Sequence, residues 1–315
     1  MKQKVIIDTD IGDDIDDLIA IALGLKLENI EIIGITTVFC DTLARARIAR
    51  RALTLAGKKD IPVYAGSRDG LNGKNDCPRL CQMTEDADLP EYDAINAKQA
   101  ASDGGESAVD FILGNARKYK EELVILGIGP LTNLAKAFLK DPVAMNSVKK
   151  IVIMGGTFLE QHREWNILCD IEAAVILFER AEKLYCVGFD VTKKTTVPHI
   201  EHKEMMKKTG EPFRDYMADL VALWSERSWH APTLHDPLAM YYISDPEVLQ
   251  MKVAKVKIET KGEYTRGMSV NLDNYKEGCS YYCSTGKTHI AVAVDELKLR
   301  EVVARTLFPG KIQEE

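Results

Sequence analysis

Six aspartates stand within the ten residues from Asp8 to Asp17, at positions 8, 10, 13, 14, 16 and 17. They follow the apolar run Val5-Ile6-Ile7, which reads as a buried strand, and precede Leu18-Ile19-Ala20-Ile21-Ala22-Leu23, which reads as a helix. The acids therefore occupy a strand-to-helix loop. In a parallel α/β sheet that loop lies at the carboxyl edge, where ligands bind. So many like charges repel one another unless a cation or a donor-rich ligand holds them. Oxygen-only donors select a hard ion, Ca²⁺ or Mg²⁺, over zinc. A solvated acidic turn whose last aspartates cap a helix accounts for one or two of the six. It does not account for Asp8 and Asp10, on the strand end itself.

Three further segments carry chemistry-bearing residues at expected strand ends. Gly129-Pro130-Leu131-Thr132-Asn133 follows an apolar strand, and the carbonyls of its first helical turn are placed to face the loop edge. Met154-Gly155-Gly156 ends the next strand and opens a loop reaching Glu164-Trp165-Asn166. Far along the chain His235-Asp236-Pro237 starts another helical stretch. An Asp before Pro at a helix start is commonly only a cap; the four segments together are the signal.

The elements that must position these residues alternate. Ile30 to Val38, Ile61 to Ala65, Glu122 to Gly127, Lys150 to Met154 and Leu184 to Phe189 read as strands. Thr42 to Ala56, Ser107 to Tyr119, Leu131 to Leu139 and Ile171 to Ala181 read as helices between them. This βαβ rhythm predicts an α/β fold, a mostly parallel central sheet with helices on both faces. With no linker or repeat, residues 1–315 read as one domain. Ser67 to Asp103, polar and irregular, and His199 to Trp229, helical without a strand, break the rhythm. Both are expected as loops or helices over the carboxyl edge.

The 315 residues are 46% hydrophobic, enough for a large core. A net charge of −7 argues against nucleic acid or an anionic membrane as partner. No apolar run approaches the roughly 20 residues that cross a bilayer, and Met1-Lys2-Gln3 runs straight into a strand without a leader, so a cytoplasmic protein is expected. Seven scattered cysteines read as free thiols. The C-x3-C pairs Cys77/Cys81 and Cys279/Cys283 are a weak signal for metal or disulfide.

In order and over nearly the whole length, these segments resemble the nucleoside hydrolases, the inosine–uridine-preferring nucleoside N-ribohydrolases. The matching stretches begin with Asp8-Thr9-Asp10-Ile11-Gly12 with Asp16-Asp17, Ile35-Thr36-Thr37-Val38 and Pro62-Val63-Tyr64-Ala65-Gly66. They continue through Gly129 to Asn133, Met154 to Gly156, Glu164 to Ile167, Val187 to Thr192 and His235 to Ala239. The resemblance implies hydrolysis of the N-glycosidic bond of nucleosides in purine or pyrimidine salvage, and a homodimer or homotetramer. It implies a Ca²⁺ site in which Asp10, Asp17 and Asp236 give carboxylate oxygens and Thr132 a backbone carbonyl, with water and two ribose hydroxyls completing the shell. Asp10 matches the family's base and His235 its acid for the leaving nucleobase. Asp16, Glu164 and Asn166 match the groups that grip the ribose hydroxyls, and Met154 and Asp41 fall at substrate-binding positions.

The chain departs from the family's pattern in several places. Ile11 stands for the usual Pro, and Asp13-Asp14-Ile15 occupies the place of one residue, which leaves Asp14 a rival for the ribose or metal role. Cys40-Asp41 replaces a Gly-Asn. The loop from Gly156 to Glu164 lacks the asparagine expected beside the ribose 5′ side, where Gln161 or His162 would stand in, and Lys193 stands where many relatives have His. Trp224, Trp229 and His230 read either as a stack for the nucleobase or as packing under a lid. His199 and His202 read as a solvated helix face, and Asp190 as structural. Two rival functions use the same acids: an Asp-x-Asp phosphatase with Mg²⁺, and a sugar-binding protein without turnover. The segments outside the acidic loop do not match the phosphatase, and the presence of Asp10 and His235 argues against the sugar-binding protein.

Overall fold

A computed structural model describes residues 2–73, 106–228, 230–275 and 286–308. Six strands, β1 (Gln3–Thr9), β2 (Ile30–Thr37), β3 (Val63–Ala65), β4 (Leu123–Gly127), β5 (Lys150–Met154) and β6 (Leu184–Val187), run parallel in the order β3-β2-β1-β4-β5-β6. Two more complete the eight-stranded sheet. Of these β7 (Leu249–Ala254) lies antiparallel at the edge, and β10 (Thr288–Val294) is inserted between it and β6. A separate hairpin pairs β8 (Val256–Ile258) with β9 (Ser269–Asn271). The chain winds outward from β1 through β2 and β3, then returns to the other side of β1 with β4. The boundary between β1 and β4 is thus the topological switch point, where such sheets open a crevice at their carboxyl ends.

The two faces of β1 are covered by different layers. Val5 and Ile7 join the core built with the helices Asp16–Lys26 and His235–Ser244, while Ile6 joins the core built with Glu106–Tyr119 and Thr132–Lys140. Because side chains alternate along a strand, the next residues continue the division. Asp8 turns toward the helix that begins at Thr132, and Thr9 toward the helix that begins at Asp16. The helix Asp16–Lys26 is buried from Asp16 through Gly24, so it is apolar on every side beyond its first two acids. At Gly24 a Cβ would come 2.8 Å from Met240 Cε and 3.1 Å from Ile32 Cδ1. Here glycine lets the helix pack closely between the sheet and the helix His235–Ser244, and a larger residue would have to push the Met240 side chain aside.

The parallel βαβ sheet expected from the sequence is the observed one. Two readings need correction. Leu184 to Phe189 is a strand only to Val187; Phe189–Thr192 is a short helix. His199 to Trp229 is helical without a strand, as expected, in two helices, His199–Met205 and Pro212–Arg227, divided where Gly210 adopts φ +86° and Pro212 restarts the chain. The strands β7 to β10 are absent from the sequence reading. Of these β8 and β9 are three residues each, and β7 alternates buried and exposed positions irregularly, which hides its period. Most of the segment Ser67 to Asp103 lies outside the described residues, as do Trp229 and all four cysteines of the C-x3-C pairs. Cys40, Cys169 and Cys186 are free thiols.

Candidate active site

A cavity of about 220 Å³ opens at the switch point. Asp10, Asp13, Asp14, Asp16 and Asp17 line it from the first loop, Ile128 and Met154 from the ends of β4 and β5, and His162, Glu164, Trp165 and Asn166 from the loop that follows. Phe189, His235 and Asp236 close it on the remaining side. Carboxylate oxygens of Asp16, Asp17 and Asp236 lie within 4.8 Å of one another, and all three residues are buried. The backbone N–H of Asp236 donates to Asp16 Oδ2 (3.2 Å), which ties the start of one helix to the start of another.

The crowding has an electrostatic signature. Burial, then the charge of the neighbouring acids, pushes the carboxyls of Asp16, Asp17 and Asp236 well above the ordinary range. Asp10 is pushed up to about 7, again chiefly by burial. Three buried oxygens donors at this spacing, with no nitrogen or sulfur ligand among them, suit a hard divalent cation, which would relieve both the desolvation and the repulsion.

Arg45 is the counterweight, and its role was not anticipated. It is fully buried, and its guanidinium donates to Asp13 Oδ2 (2.6 Å), to the carbonyls of Asp10 and Ile11, and through Nε to Phe39 O (2.7 Å). It thus grips the backbone of the acidic loop and pairs directly with Asp13, while its charge also favours the ionised forms of Asp10 and Asp17. A signal was available. Arg45 is in phase with Ile48, Ala49, Ala52 and Leu53 on the buried stripe of the helix Thr42–Leu55, a place where an unpaired charge would not survive. Its partner Phe39 and the next residue, Cys40, both take left-handed backbone (φ 73° and 57°), held by Phe39 N–H to Ser67 O and Cys40 N–H to Arg68 O at 2.9 Å each. Such strain in non-glycine residues gathers at functional loops.

Each expected site residue has a definite place. Asp8 does not face the cavity: its Oδ1 accepts from Thr36 Oγ1 (2.5 Å) and Asn133 Nδ2 (2.7 Å), and burial pushes its carboxyl up to about 7. Asn133 also donates to Thr37 O and accepts from Ser67 N–H, so this one amide joins the ends of three strands. Asp17 accepts from Thr9 Oγ1. Gly129 passes so near Asp10 that a Cβ there would sit 2.8 Å from its N and Oδ1. Asp14 lines the cavity, so its rivalry with Asp16 stands. Thr132 is buried beside the cavity but is not among its lining residues; its hydroxyl donates to Asp170 Oδ2 (2.6 Å).

Asp41 is exposed, is not among the lining residues and caps the helix Thr42–Leu55, its Oδ1 accepting from Ala44 N–H (3.0 Å). A short acid at a helix start finds a partner in the backbone. The clustered acids are Asp16, Asp17 and Asp236, so Asp16, expected at the ribose, stands beside the metal candidates Asp17 and Asp236.

The wall opposite the first loop is held as firmly. Glu164 caps the helix Trp165–Cys169 and accepts backbone N–H bonds from Asn166 (2.9 Å), Gly156 (3.0 Å) and Ile167 (3.1 Å). Asn166 Nδ2 donates to Met154 O (3.1 Å) and Ile128 O (3.2 Å), which leaves its Oδ1 for a ligand. His162, Phe189 and His235 form a continuous stack, with centroids 4.7 and 5.9 Å apart and planes 21° and 17° from parallel. Gln161 is not part of the cavity lining. Asp190, as read, is structural: it accepts from Phe158 and Leu159 N–H and so anchors the loop that carries His162. Lys193 reinforces that loop through Glu160 (2.6 Å). Trp224 is buried against His202 and His230 away from the cavity, and His202 bonds Ser225, so both belong to packing.

The sequence profile of the family described as "Inosine-uridine preferring nucleoside hydrolase" matches residues 5–301. The chain belongs to this family. It is 32% identical over 282 residues to "Probable uridine nucleosidase 1" of Oryza sativa subsp. japonica, covering 83% of this chain and 82% of that protein. It is 31% identical to "Pyrimidine-specific ribonucleoside hydrolase RihA" of Citrobacter koseri, with 94% of each covered. Among solved structures, the purine-preferring ribonucleoside hydrolase of Gardnerella vaginalis superposes with a TM-score of 0.78 at 27% identity, over 96% of this chain and 98% of that one. This nucleoside hydrolase is an enzyme that cleaves ribonucleosides to free base and ribose.

Proposed function

We propose that the nucleoside hydrolase works around one Ca²⁺ ion, held by Asp17 and Asp236 with Asp16 and Asp10 beside them, and that Asp10 takes the proton from the attacking water. The buried triad of Asp16, Asp17 and Asp236 carries this reading, because its repulsion calls for a cation and its donors are oxygen alone. A bound Ca²⁺ supplies polarisation of a water and of the ribose diol. The protein's own groups supply the rest.

Asp10 lines the cavity beside the clustered acids, where a carboxylate is placed to accept a proton from a water held in the same space. Glu164 and Asn166 Oδ1 face the same space and are fixed by backbone bonds, so they orient ribose hydroxyls without first having to be ordered. As the glycosidic bond lengthens, positive charge develops on the sugar, and the surrounding carboxylates favour it. His235, on the aromatic side, faces the leaving base and donates to it. Thr132 would contribute a carbonyl from the helix start. The family resemblance also supports a homodimer or homotetramer in the cytoplasm; among the described residues no helix is long and apolar enough to cross a membrane.

The test is a panel of ribonucleosides assayed for free base and reducing sugar, with Ca²⁺ and after exhaustive chelation. Product should require the ion, and 2′-deoxynucleosides should react about 10⁴-fold more slowly, since a site built around a hydroxyl rejects its absence. Undiminished turnover in the chelated enzyme overturns the metal assignment.

A further inference from the structure

We propose that Thr192 is a positioning residue that fixes the tautomer of His235, so that the neutral imidazole presents an Nε2–H to the leaving nucleobase. This rests on the reading of His235 as the donor to that base.

Three observations converge. First, His235 Nδ1 lies 2.7 Å from Thr192 Oγ1, across 43 residues of chain. Second, Thr192 is fully buried, and among the described residues its hydroxyl has no other hydrogen-bond partner. A buried hydroxyl carries one proton that must go somewhere. If Nδ1 bore a proton and donated to Thr192, the hydroxyl proton would be left without an acceptor. If Thr192 donates to Nδ1, every group is satisfied. Nδ1 is then the acceptor, and the single ring proton of neutral imidazole resides on Nε2. Third, His235 lines the cavity, and Nε2 is neither paired with a described residue nor among the buried unpartnered atoms. The nitrogen that carries the proton is therefore the one open to substrate.

The surrounding structure keeps the ring in that pose. Phe189 lies parallel to it (17°, 5.9 Å), and Phe189 and Thr192 both belong to the short helix Phe189–Thr192. That helix is locked in turn: Phe189 N–H donates to Gly156 O (2.8 Å), and Asp190 accepts from Phe158 and Leu159 N–H. Four consecutive residues thus supply a stacking face, a loop anchor and a tautomer lock. In the reaction Nε2–H stays on the ring and hydrogen-bonds to the departing base nitrogen, which carries the electron pair of the glycosidic bond. That nitrogen then takes a proton from solvent, and Asp10 returns to solvent the proton it took from the attacking water.

The experiment compares Thr192→Val, which keeps the shape and removes the donor, with Thr192→Ser, which keeps the donor. Both are measured as the Ca²⁺-supplemented enzyme, with thermal melting to establish folding. In ¹⁵N-histidine-labelled protein, with the His235 signals assigned by their absence in His235→Gln, the wild type and Thr192→Ser should show an unprotonated Nδ1 and a protonated Nε2. Thr192→Val should lose that pattern. Its kcat on natural nucleosides should fall by about 10- to 100-fold, the scale for partners that orient a working histidine, with little change in KM. Its rate on p-nitrophenyl riboside, whose leaving group needs no proton, should stay near wild type, and Thr192→Ser should restore most of the loss. An unchanged tautomer in Thr192→Val, or equal losses on both substrates, overturns the proposal. Failure of the underlying reading looks different: His235→Gln would then slow both substrates equally.

Discussion

At the residue scale, the site shows how burial turns an ordinary side chain into a chemical one. Asp8 and Asp10 are two positions apart, and both carboxyls are lifted to about 7. Yet one is held by a threonine and an amide inside the protein, and the other lines the cavity. Strand alternation does not sort them, since both fall on the same face of β1; the strand ends between them, at Thr9, and the loop re-aims Asp10. Asp10→Asn should therefore cost about 10²–10⁴-fold in kcat, the usual range for a lost general base, while circular dichroism and melting stay close to wild type. Near-normal turnover in steady-state kinetics would move the base to another carboxylate, with Asp14 and Asp16 next in position.

At the element scale, the site depends on helix starts and strand ends whose backbone is fastened by side chains. Much of this was legible. The acid loop after the first strand, the Glu164-Trp165-Asn166 segment and the His235-Asp236 start all stand in the cavity wall, because a parallel sheet delivers every strand end to one edge, while the Thr132-Asn133 turn bonds Asp170 and Asp8 instead. What stayed hidden was pairing across the chain. Nothing local says that Arg45 reaches Asp13, that Asn133 joins three strands, or that Thr192 meets His235. Asp41 was read from the family position it occupies, and that reading does not show the bond its carboxylate accepts from Ala44 N–H. Arg45 gives the sharpest check. Arg45→Met should destabilise the fold by about 3–5 kcal/mol in urea titrations, because it leaves Asp13 buried and uncompensated. Adding Asp13→Asn should recover part of that loss. A change below about 1 kcal/mol would mean that the loop holds itself.

At the scale of the whole molecule, the acid triad is a liability to the fold unless an ion is bound. Ligand binding to the native state alone stabilises it by about 2.7 kcal/mol at a hundredfold excess over Kd, so calorimetry should show a higher Tm with Ca²⁺ than with chelator. Asp16→Asn removes one repelling charge. The chelated variant should melt above the chelated wild type and gain less from added Ca²⁺. If the chelated variant melts lower, the hydrogen bond from Asp236 N–H to Asp16 outweighs the repulsion, and the triad is a structural knot rather than a poised site.

The bond between Asp236 and Asp16 spans 220 residues of chain. During synthesis the acids of the first loop emerge and wait, since the element that completes their cluster follows 220 residues later. The strand they end, β1, also waits, because one of its two neighbours, β4, is made more than a hundred residues later. Birth order and assembly order are therefore opposed at the centre of this sheet. The strand that carries the acids is made long before it is finished, and activity can begin only after the segment around Asp236 has been made.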